Sequence, residues 1–458
     1  MLTLINMDHD TIAALATAPG GSIAIIRVSG EDALSIAGKV WRGQNVLEIN
    51  ERRLVLGQMF DPETGEAGDQ AMAVYMKGPH TYTGEDVVEF QCHGGNFTAK
   101  HTLMCALKAG ARAAEAGEFT KRAFVNGKLD LTQAEAVMDV ISAGSEKAMQ
   151  IAVNQLNGRF GNEIRGMYDQ LSDLLAECEV RMDFVEEDLN WTPSEMMNKT
   201  LNHSSTLMKR LLEGRKDGEV LRDGVKVIIG GPPNAGKSSL MNHVLGRDRA
   251  IVTDIAGTTR DTLEEHTRIR GIPLKITDTA GIREADDIVE KTGIERSKQA
   301  LGEAQLILWL MDLSKPLNEQ LPPNDFKLDA PLIIILNKSD IAIDQELPSF
   351  FEEAKASSVR ISIKSEDNLD RLYDLIEEAV WQEDHHHIPD VAVNARHSVL
   401  LEQAVEQIGD CQACIDSEAW ELVSVHLRGA LDPLGEILGL TLMPDILHTI
   451  FGRYCIGK

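Results

Sequence analysis

The chain is long and acidic and carries no signal for a membrane. Its 458 residues exceed what one hydrophobic core organises and predict about three domains. With 45 basic and 72 acidic residues, the formal net charge of −27 excludes a basic surface for nucleic acid over the whole protein. A local patch or a partner would therefore have to hold any RNA. No apolar run approaches the ~18 residues that span a bilayer, and no secretory signal is present, so we expect a cytoplasmic protein with reduced cysteines and no membrane contact.

Residues 1–125 predict a small α/β domain. Two stretches, Ser22–Val28 and Asp86–Gln91, are typical of strands, and His101–Lys108 has helical spacing. The polar residues beside these stretches and their loops include Arg27, Glu89 and Lys128. From the pattern alone, these three are ordinary solvated side chains.

In residues 126–218 the spacing of apolar residues changes to the period of long helices. The spacing of Thr132 and Glu135 is that of a capping box, which predicts a helix start at this point. Apolar residues then recur at steps of three and four, at Leu156, Phe160, Ile164, Met167, Leu171, Leu174, Leu175 and Cys178. Such a stripe indicates a core between helices rather than a cofactor site.

The strongest local signal lies in residues 219–384, where strands and helices alternate as in a doubly wound parallel sheet. The apolar stretch Val225–Ile229 leads into Gly231-Pro-Pro-Asn-Ala-Gly-Lys-Ser, and helical spacing follows. This is the form of a phosphate-binding loop, in which backbone N–H groups and a helix start bind a polyphosphate. We expect Lys237 to reach the outer phosphates and the Ser238 hydroxyl to ligate Mg²⁺.

Two further motifs follow apolar strands in the order found in guanine nucleotide binders. After Ile272–Thr277 comes Asp278-Thr-Ala-Gly281, where Asp278 would hold Mg²⁺ through water and the Gly281 N–H would contact a γ-phosphate. The next apolar strand leads into Asn337-Lys-Ser-Asp340. The Asp340 carboxylate can accept two hydrogen bonds from the N1–H and amino groups of guanine, which adenine cannot offer. The order and spacing therefore predict GTP as the ligand.

Residues 385–458 begin with three histidines and then return to helical spacing. Consecutive positions point to different sides, so His385–His387 indicates a linker rather than a metal site. Helical segments on both sides of the nucleotide-binding unit predict that this unit is inserted into one helical domain. The final Cys455-Ile-Gly-Lys458 has the shape of a prenylation signal, but Lys is not a typical terminal acceptor. A free thiol used elsewhere and a mere tail both remain open.

These motifs resemble one family over essentially the whole chain. The combination is similar to the MnmE (TrmE) family of bacterial tRNA modification GTPases. The nucleotide motifs alone would also fit Era-type, Der-type or FeoB proteins, but the sequence shows no basic domain after the G domain, no second phosphate loop and no spanning segment. The stretches that carry the resemblance are Asn234–Ser238, Ile251–Asp261, Asp278–Gly281, Asn337–Asp340, Cys455–Lys458, Tyr82–Asp86, Cys92–Gly95, Gly117–Thr120 and Lys128–Leu131.

The resemblance implies a three-part architecture and a pathway. The expected parts are a folate-binding and homodimerisation domain (1–125), a helical domain (126–218 and 385–458) and an inserted P-loop G domain (219–384). The family acts with the FAD-dependent partner MnmG (GidA) in a heterotetrameric or larger complex. The implied reaction adds an aminomethyl or carboxymethylaminomethyl group to C5 of the wobble uridine of certain tRNAs. The implied one-carbon donor is 5-formyltetrahydrofolate or a related tetrahydrofolate derivative.

The resemblance also implies roles for residues at matched positions. The expected GTP contacts are Asn234, Ala235, Gly236, Lys237, Ser238, Ser239, Thr253, Asp254, Ile255, Ala256, Gly257, Thr258, Thr259, Asp278, Thr279, Ala280, Gly281, Asn337, Lys338 and Asp340. The expected K⁺ ligands are Asn234, Thr253, Ile255 and Thr258, and the expected Mg²⁺ ligands are Ser238 and Thr259. The expected folate contacts are Arg27, Glu89, Lys128 and Lys458. The expected catalytic residues are Glu290, Asn234, Lys237 and Cys455, of which Cys455 would lie near the modification centre.

The residue after the second nucleotide motif bears on the hydrolytic mechanism. Ras-like enzymes have a water-orienting Gln there, whereas this chain has Ile282, which neither donates nor accepts a hydrogen bond. The resemblance implies that Glu290 is the acid that orients the attacking water, and that K⁺ takes the place of an arginine finger. Because an ordered switch loop is needed to build the cation site, we expect face-to-face pairing of two G domains to trigger hydrolysis.

Overall fold

The computed structural model describes residues 10–18, 20–43, 52–184, 190–215, 220, 224–247, 264–278, 304–322, 330–343, 345–353, 356–381, 391–441, 444–452, 454 and 456–457. No helix within these ranges has the length and apolar character that crossing a bilayer requires.

Within the described residues, the N-terminal part is a seven-stranded sheet with helices packed on both faces. Its strands are β1 (Ile12–Leu15), β2 (Ile23–Ser29), β3 (Trp41–Gly43), β4 (Val55–Phe60), β5 (Ala67–Met76), β6 (Val87–His93) and β7 (Arg112–Ala113), in the order β3-β4-β5-β6-β2-β1-β7. Its helices are α1 (Ala33–Val40), α2 (Asn96–Lys108) and α3 (Glu118–Val125). Because side chains alternate along a strand, Ile26 and Phe90 are buried under α1 and α2, whereas their neighbours Arg27 and Glu89 lie on the opposite face, the side on which Phe119 of α3 packs.

The chain then enters a helical region. Its first segment consists of α4 (Leu131–Ser142), α5 (Glu146–Leu156), α6 (Arg159–Asp183) and α7 (Ser194–Glu213). Apart from Leu156, which ends α5, the apolar stripe predicted from the sequence lies on α6, where Phe160, Ile164 and Leu171 are fully buried. The stripe is therefore core, as its spacing indicates.

The start of α4 differs from the sequence prediction. The capping residue is Asp130, whose side chain accepts the Gln133 N–H at 2.8 Å, while the Gln133 side chain accepts the Asp130 N–H at 3.0 Å. The predicted capping box of Thr132 and Glu135 is therefore wrong. Asp130 is an equally good cap two residues earlier, and the Glu135 carboxylate is engaged elsewhere.

In its described residues, the G domain contains a six-stranded sheet that is buried on both faces. Its strands are β8 (Val225–Gly230), β9 (Glu264–Ile269), β10 (Ile272–Asp278), β11 (Leu306–Asp312), β12 (Leu332–Asn337) and β13 (Ser357–Arg360), in the order β13-β12-β11-β8-β10-β9. Its helices are α8 (Lys237–Arg247), α9 (Ser349–Glu353) and α10 (Leu369–Val380). Neighbouring strands are parallel except β9 and β10, which are antiparallel. The carboxyl ends of β8, β11 and β12 therefore meet at one edge, where such sheets bind ligands.

A second helical segment follows the G domain and shares a core with the first. It consists of α11 (Ala395–Ile415), α12 (Trp420–Leu438) and α13 (Pro444–Phe451). Leu401 and Leu427 of this segment are buried in one cluster with Leu171 and Leu201 of the first segment. The predicted insertion of the G domain into a helical domain is confirmed, because residues on both sides of it build one core. The boundaries at residues 125, 218 and 384 stay predictions.

An ion-pair cluster joins the two helical segments. Glu135 of α4 accepts hydrogen bonds from Arg396 (3.0 Å) and pairs with Nε2 of His397 (2.7 Å), both at the start of α11. Burial raises the pKa of Glu135, but the two partners outweigh this effect and bring the pKa down to about 2. Breaking a buried pair of this kind typically costs about 3 kcal/mol, so the cluster holds the segments together firmly.

Candidate functional site

The phosphate loop, residues 231–236, connects β8 to α8. Gly231 and Gly236 have φ values of +139° and +105°, and a Cβ atom on either would lie 2.3 Å from a neighbouring atom, the Leu310 carbonyl oxygen and the Asn337 Nδ2 respectively. Asn234 also has a positive φ of +64°. Glycine is thus required at both ends of the loop, so that the backbone can fold tightly and present its N–H groups.

Lys237 and Ser238 begin α8 directly after the loop. Lys237 is 8% exposed, and its Nζ donates to the carbonyl oxygens of Gly231 at 3.0 Å and Pro232 at 2.9 Å. Its ammonium therefore lies across the inside of the loop, where it can contact a phosphate. Ser238 is exposed in the first turn of the helix, so its hydroxyl is accessible to a cation.

Asn337 connects the predicted base-recognition motif to the phosphate loop. Its Nδ2 donates to the Ala235 carbonyl oxygen at 2.8 Å, and its Oδ1 accepts the Ile363 N–H at 3.3 Å. One buried side chain thus joins three loops that are distant in sequence. The structure therefore brings the two motifs together, as a nucleotide site requires.

The predicted guanine-reading carboxylate lies at the same edge. Asp340 is exposed, and its Oδ1 accepts a hydrogen bond from the Ser362 hydroxyl at 2.8 Å. Ser362 and Ile363 belong to the Ser-Ile-Lys stretch that stands where guanine-binding proteins usually have Ser-Ala-Lys. Ser362 holds the Asp340 carboxylate in one orientation while it stays open to a base.

Asp312 is a residue of this site that the sequence did not reveal. It ends β11, is 2% exposed, and its Oδ2 lies 2.6 Å from Nζ of Lys338. Burial raises the pKa of Asp312, but hydrogen bonds from Lys338 and Ser314 outweigh it, and the net pKa lies below the usual value. One feature of the sequence could have identified Asp312. It is an acidic residue at the end of the apolar strand that precedes the strand leading into Asn337-Lys-Ser-Asp340.

Several predicted site residues fall outside the described residues or are described only in part. Asp278 ends β10, in parallel register with Ile229, but only its backbone is described. The remaining ones lie outside the described residues, and their roles stay predictions: Thr253, Asp254, Ile255, Ala256, Gly257, Thr258, Thr259, Thr279, Ala280, Gly281, Glu290, Cys455 and Lys458.

The predicted folate residues Arg27 and Glu89 are register partners on β2 and β6. Nε of Arg27 donates to Oε1 of Glu89 at 2.8 Å, and both side chains are partly exposed on the face of the sheet opposite α1 and α2. The Arg27 guanidinium also lies 5.9 Å from the ring centre of Tyr82 and 5.7 Å from that of Phe119. A cation, a carboxylate and two aromatic rings thus meet at one place, and the sequence pattern did not single out the rings.

Lys128 and the C-terminal segment approach the same domain. Nζ of Lys128 donates to the Pro79 carbonyl oxygen at 2.8 Å, in the loop that also carries Tyr82. Near the C-terminus, Ile456 pairs with Ala116, and a Cβ on Gly457 would lie 2.2 Å from the Leu15 carbonyl oxygen. Ile456 and Gly457 are therefore packed closely against the N-terminal domain.

The Gly117-Glu-Phe-Thr motif has a structural role in this region. Glu118 accepts hydrogen bonds from Arg112 at 2.6 Å and from Arg122 at 3.0 Å, and Arg122 is 2% exposed. Burial raises the pKa of Glu118, but these bonds outweigh it, and the net pKa lies below the usual value. The motif thus fixes α3 and, with it, the position of Phe119 beside Arg27.

Comparison with known proteins gives matches over the whole chain. The family model "MnmE helical domain" matches residues 131–455, and the model "GTP-binding protein TrmE N-terminus" matches residues 11–128. The protein named tRNA modification GTPase MnmE in Clostridioides difficile (strain 630) is 43% identical over 457 residues, 98% of this chain and 99% of that protein. Its namesake in Alkaliphilus metalliredigens (strain QYMF) is also 43% identical, with the same coverage. The solved FeoB G domain from Methanococcus jannaschii is 22% identical, covers 34% of this chain and 98% of its own, and has a TM-score of 0.27.

The phosphate loop yields a first prediction. Replacing Gly236 by Ala should weaken binding of GDP and GTP at least about tenfold, because the positive φ costs about 1–2 kcal/mol and the new Cβ displaces Asn337. Titration of fluorescent GDP measures the effect. Gly246→Ala on α8 is the matched control, since nothing lies within 4 Å of its added Cβ. Equal affinity of Gly236→Ala and the unaltered protein would contradict this account of the loop.

Proposed function

The chain belongs to the MnmE family of tRNA modification GTPases, and from this premise we propose that it uses GTP hydrolysis to drive modification of C5 of the wobble uridine in certain tRNAs. The proposed partner is the FAD-dependent protein MnmG (GidA), in a heterotetrameric or larger complex in the cytoplasm. The proposed one-carbon donor is 5-formyltetrahydrofolate or a related tetrahydrofolate derivative. The main observation in favour of the GTPase part of this proposal is the hydrogen bond from Asn337 to the Ala235 carbonyl oxygen. This bond joins the phosphate loop and the base-recognition motif in one site.

Different residues of the G domain bind different parts of the nucleotide. The backbone N–H groups of the loop and the ammonium of Lys237 bind the phosphates, and Asp340 selects guanine. The Ser238 hydroxyl, exposed at the start of α8, suits a Mg²⁺ ligand, and Thr259 is the proposed second ligand. Mg²⁺, when bound, neutralises charge on the phosphate oxygens.

We propose that hydrolysis in this chain depends on K⁺. Asn234 lies exposed in the phosphate loop with a left-handed backbone, and amide oxygens suit a large, weakly hydrated cation. Thr253, Ile255 and Thr258 would complete its ligands, and Glu290 would orient the attacking water. The cation supplies the positive charge that an arginine finger supplies in other GTPases.

The cation proposal predicts a difference between K⁺ and Na⁺. At equal ionic strength, GTP turnover should be at least about tenfold faster in K⁺, because Na⁺ is too small for ligands spaced for K⁺. Phosphate release at saturating GTP measures the rates. Asn234→Ala should lose the difference while still binding GDP, since it removes one cation ligand and leaves Lys237 and Asp340. Identical turnover of the unaltered protein in both salts would refute the proposal.

We propose that the N-terminal domain binds the folate beside Arg27. The pyrimidinone ring of a reduced pterin is planar and carries N–H donors, which suit the Tyr82 ring and the Glu89 carboxylate, and a glutamate tail suits the ammonium of Lys128. Lys458 would add a second cation. The packing of the C-terminal segment near Ala116 supports a position for Cys455 close to this pocket, where it would take part in catalysis.

We also propose that a second copy of the chain covers the exposed apolar residues on the face of the N-terminal sheet opposite α1 and α2. Leu56 of β4 and Met72 of β5 are cross-strand partners and are 60% and 37% exposed, and Ile23 of β2 is 60% exposed. An apolar sheet face of this kind, rimmed by polar residues, is typical of an interface. A homodimer would place two folate pockets and two G domains in one assembly, as pairing of the G domains requires.

The dimer proposal makes a prediction for Leu56. Leu56→Glu should shift the protein from dimer to monomer, because two copies would bury the new carboxylates without partners. Sedimentation equilibrium over a concentration series measures the shift. Leu422→Glu is the matched control, since Leu422 is 53% exposed on α12 of the helical domain. If the Leu56→Glu protein dimerises as tightly as the control, this face of the sheet is not the dimer interface.

Analysis of tRNA nucleosides tests the proposed function as a whole. Cells that lack this protein should accumulate wobble uridines without the C5 group, and the unaltered gene should restore the modification. Arg27→Ala should restore less than about a tenth of it, since a charged hydrogen bond contributes about 1.5–3 kcal/mol. Arg42→Ala is the control, because Arg42 also lies over a ring, that of Phe60, but on the edge strand β3. If the tRNA nucleosides of the deletion strain were unchanged, the protein would not be required for this modification, and the proposed function would be wrong.

A further inference from the structure

Asp312 and Lys338 form an ion pair directly behind the nucleotide site. The parallel strands β11 and β12 place Asp312 in register with Asn337, so their carboxyl ends lie side by side. The next residue, Lys338, turns back and brings its Nζ to 2.6 Å from Oδ2 of Asp312. The two residues are distant in sequence, and only the strand register brings them together.

The Asp312 carboxylate is held in a fixed position. Its Oδ1 accepts hydrogen bonds from the Ser314 N–H at 2.9 Å and the Ser314 hydroxyl at 2.6 Å. Its backbone N–H and carbonyl oxygen are both bonded to the side-chain amide of Gln320, at 2.7 and 2.9 Å. The side chain is 3% exposed. Asp312 is therefore a buried anion that cannot turn away from Lys338.

The Lys338 side chain is consequently fixed at both ends. Its backbone, at φ +66°, lies between Asn337, which binds the phosphate loop, and Asp340, which would read the base. Its ammonium is fixed by Asp312. Ordering a free lysine side chain costs about 1.5–2 kcal/mol, so a stem that is ordered before the nucleotide binds avoids this cost.

We propose that Asp312 is a positioning residue for guanine nucleotides, which holds the Lys338 stem in place as a fixed wall of the base site. The inference rests on GTP binding at this edge of the G domain, and it goes further by assigning part of the affinity to a residue outside the nucleotide motifs. Asp312 acts only through Lys338 and touches no part of the nucleotide itself.

Asp312→Asn is the direct test. Because the Ser314 N–H can only donate, an asparagine must keep its oxygen toward Ser314 and present its NH₂ group to the Lys338 ammonium. Two donors then face each other and the pair is lost. We expect the dissociation constant for fluorescent GDP to rise about tenfold, the effect of losing one charged hydrogen bond.

A double-mutant cycle separates positioning from a general structural effect. If Asp312 acts through Lys338, then Lys338→Met and the double variant Lys338→Met/Asp312→Asn bind GDP equally within about twofold. A further loss of several-fold in the double variant would show that Asp312 acts by another route and would overturn the proposal. This comparison needs no stable Asp312→Asn single variant, and the double variant contains no buried unpaired charge.

Asp61→Asn is the matched control for loss of a carboxylate–lysine pair. Asp61 pairs with Lys108 at 2.7 Å in the N-terminal domain, far along the chain from the nucleotide motifs. Its replacement should leave the GDP dissociation constant unchanged within about twofold. If Asp312→Asn binds GDP as well as Asp61→Asn does, the inference fails while GTP binding stands. If the unaltered protein does not bind GDP, the proposed function itself fails.

Discussion

The side chain of Asn337 makes the hydrogen bond on which the nucleotide site depends. It joins the end of β12 to the Ala235 carbonyl oxygen in the phosphate loop, across 102 positions of sequence. Without this bond the proposed phosphate-binding and base-binding halves would be two loops at one edge of a sheet, each able to move alone. The positive φ of Gly236 follows from the same constraint, because any Cβ there would occupy the position of the Asn337 amide. One buried amide therefore determines both the loop shape and its glycine.

The same edge shows how each member of the base motif is fixed by a residue outside it. Ser362 orients Asp340, Asp312 fixes Lys338, and the Ile363 N–H holds Asn337. The supporting residues come from β11 and from the loop after β13, which flank β12 in the sheet. The proposed guanine site thus depends on three adjacent strand ends and not on a four-residue motif alone.

The sequence predicted those parts of the site that are encoded locally. The strand, loop and helix from Val225 to Ser239 follow from apolar spacing and glycine positions within one short stretch, and the insertion of the G domain follows from helical spacing on both sides. Asp312 was missed because its role depends on the register of β11 against β12, which no local pattern contains. The helix start at Asp130 was misplaced because two overlapping sets of residues fit the same capping pattern. Arg27 and Glu89 were singled out only by resemblance, since their contact needs two strands 62 residues apart to pair in register.

The shared core of the two helical segments has a consequence for the integrity of the protein. Glu135 binds Arg396 and His397, and Leu171 packs in one cluster with Leu401, across the whole inserted domain. A protease that cuts anywhere inside the insertion would divide the polypeptide but leave its scaffold assembled. The two fragments would remain a noncovalent complex, and each could be made separately and recombined, as in a split protein.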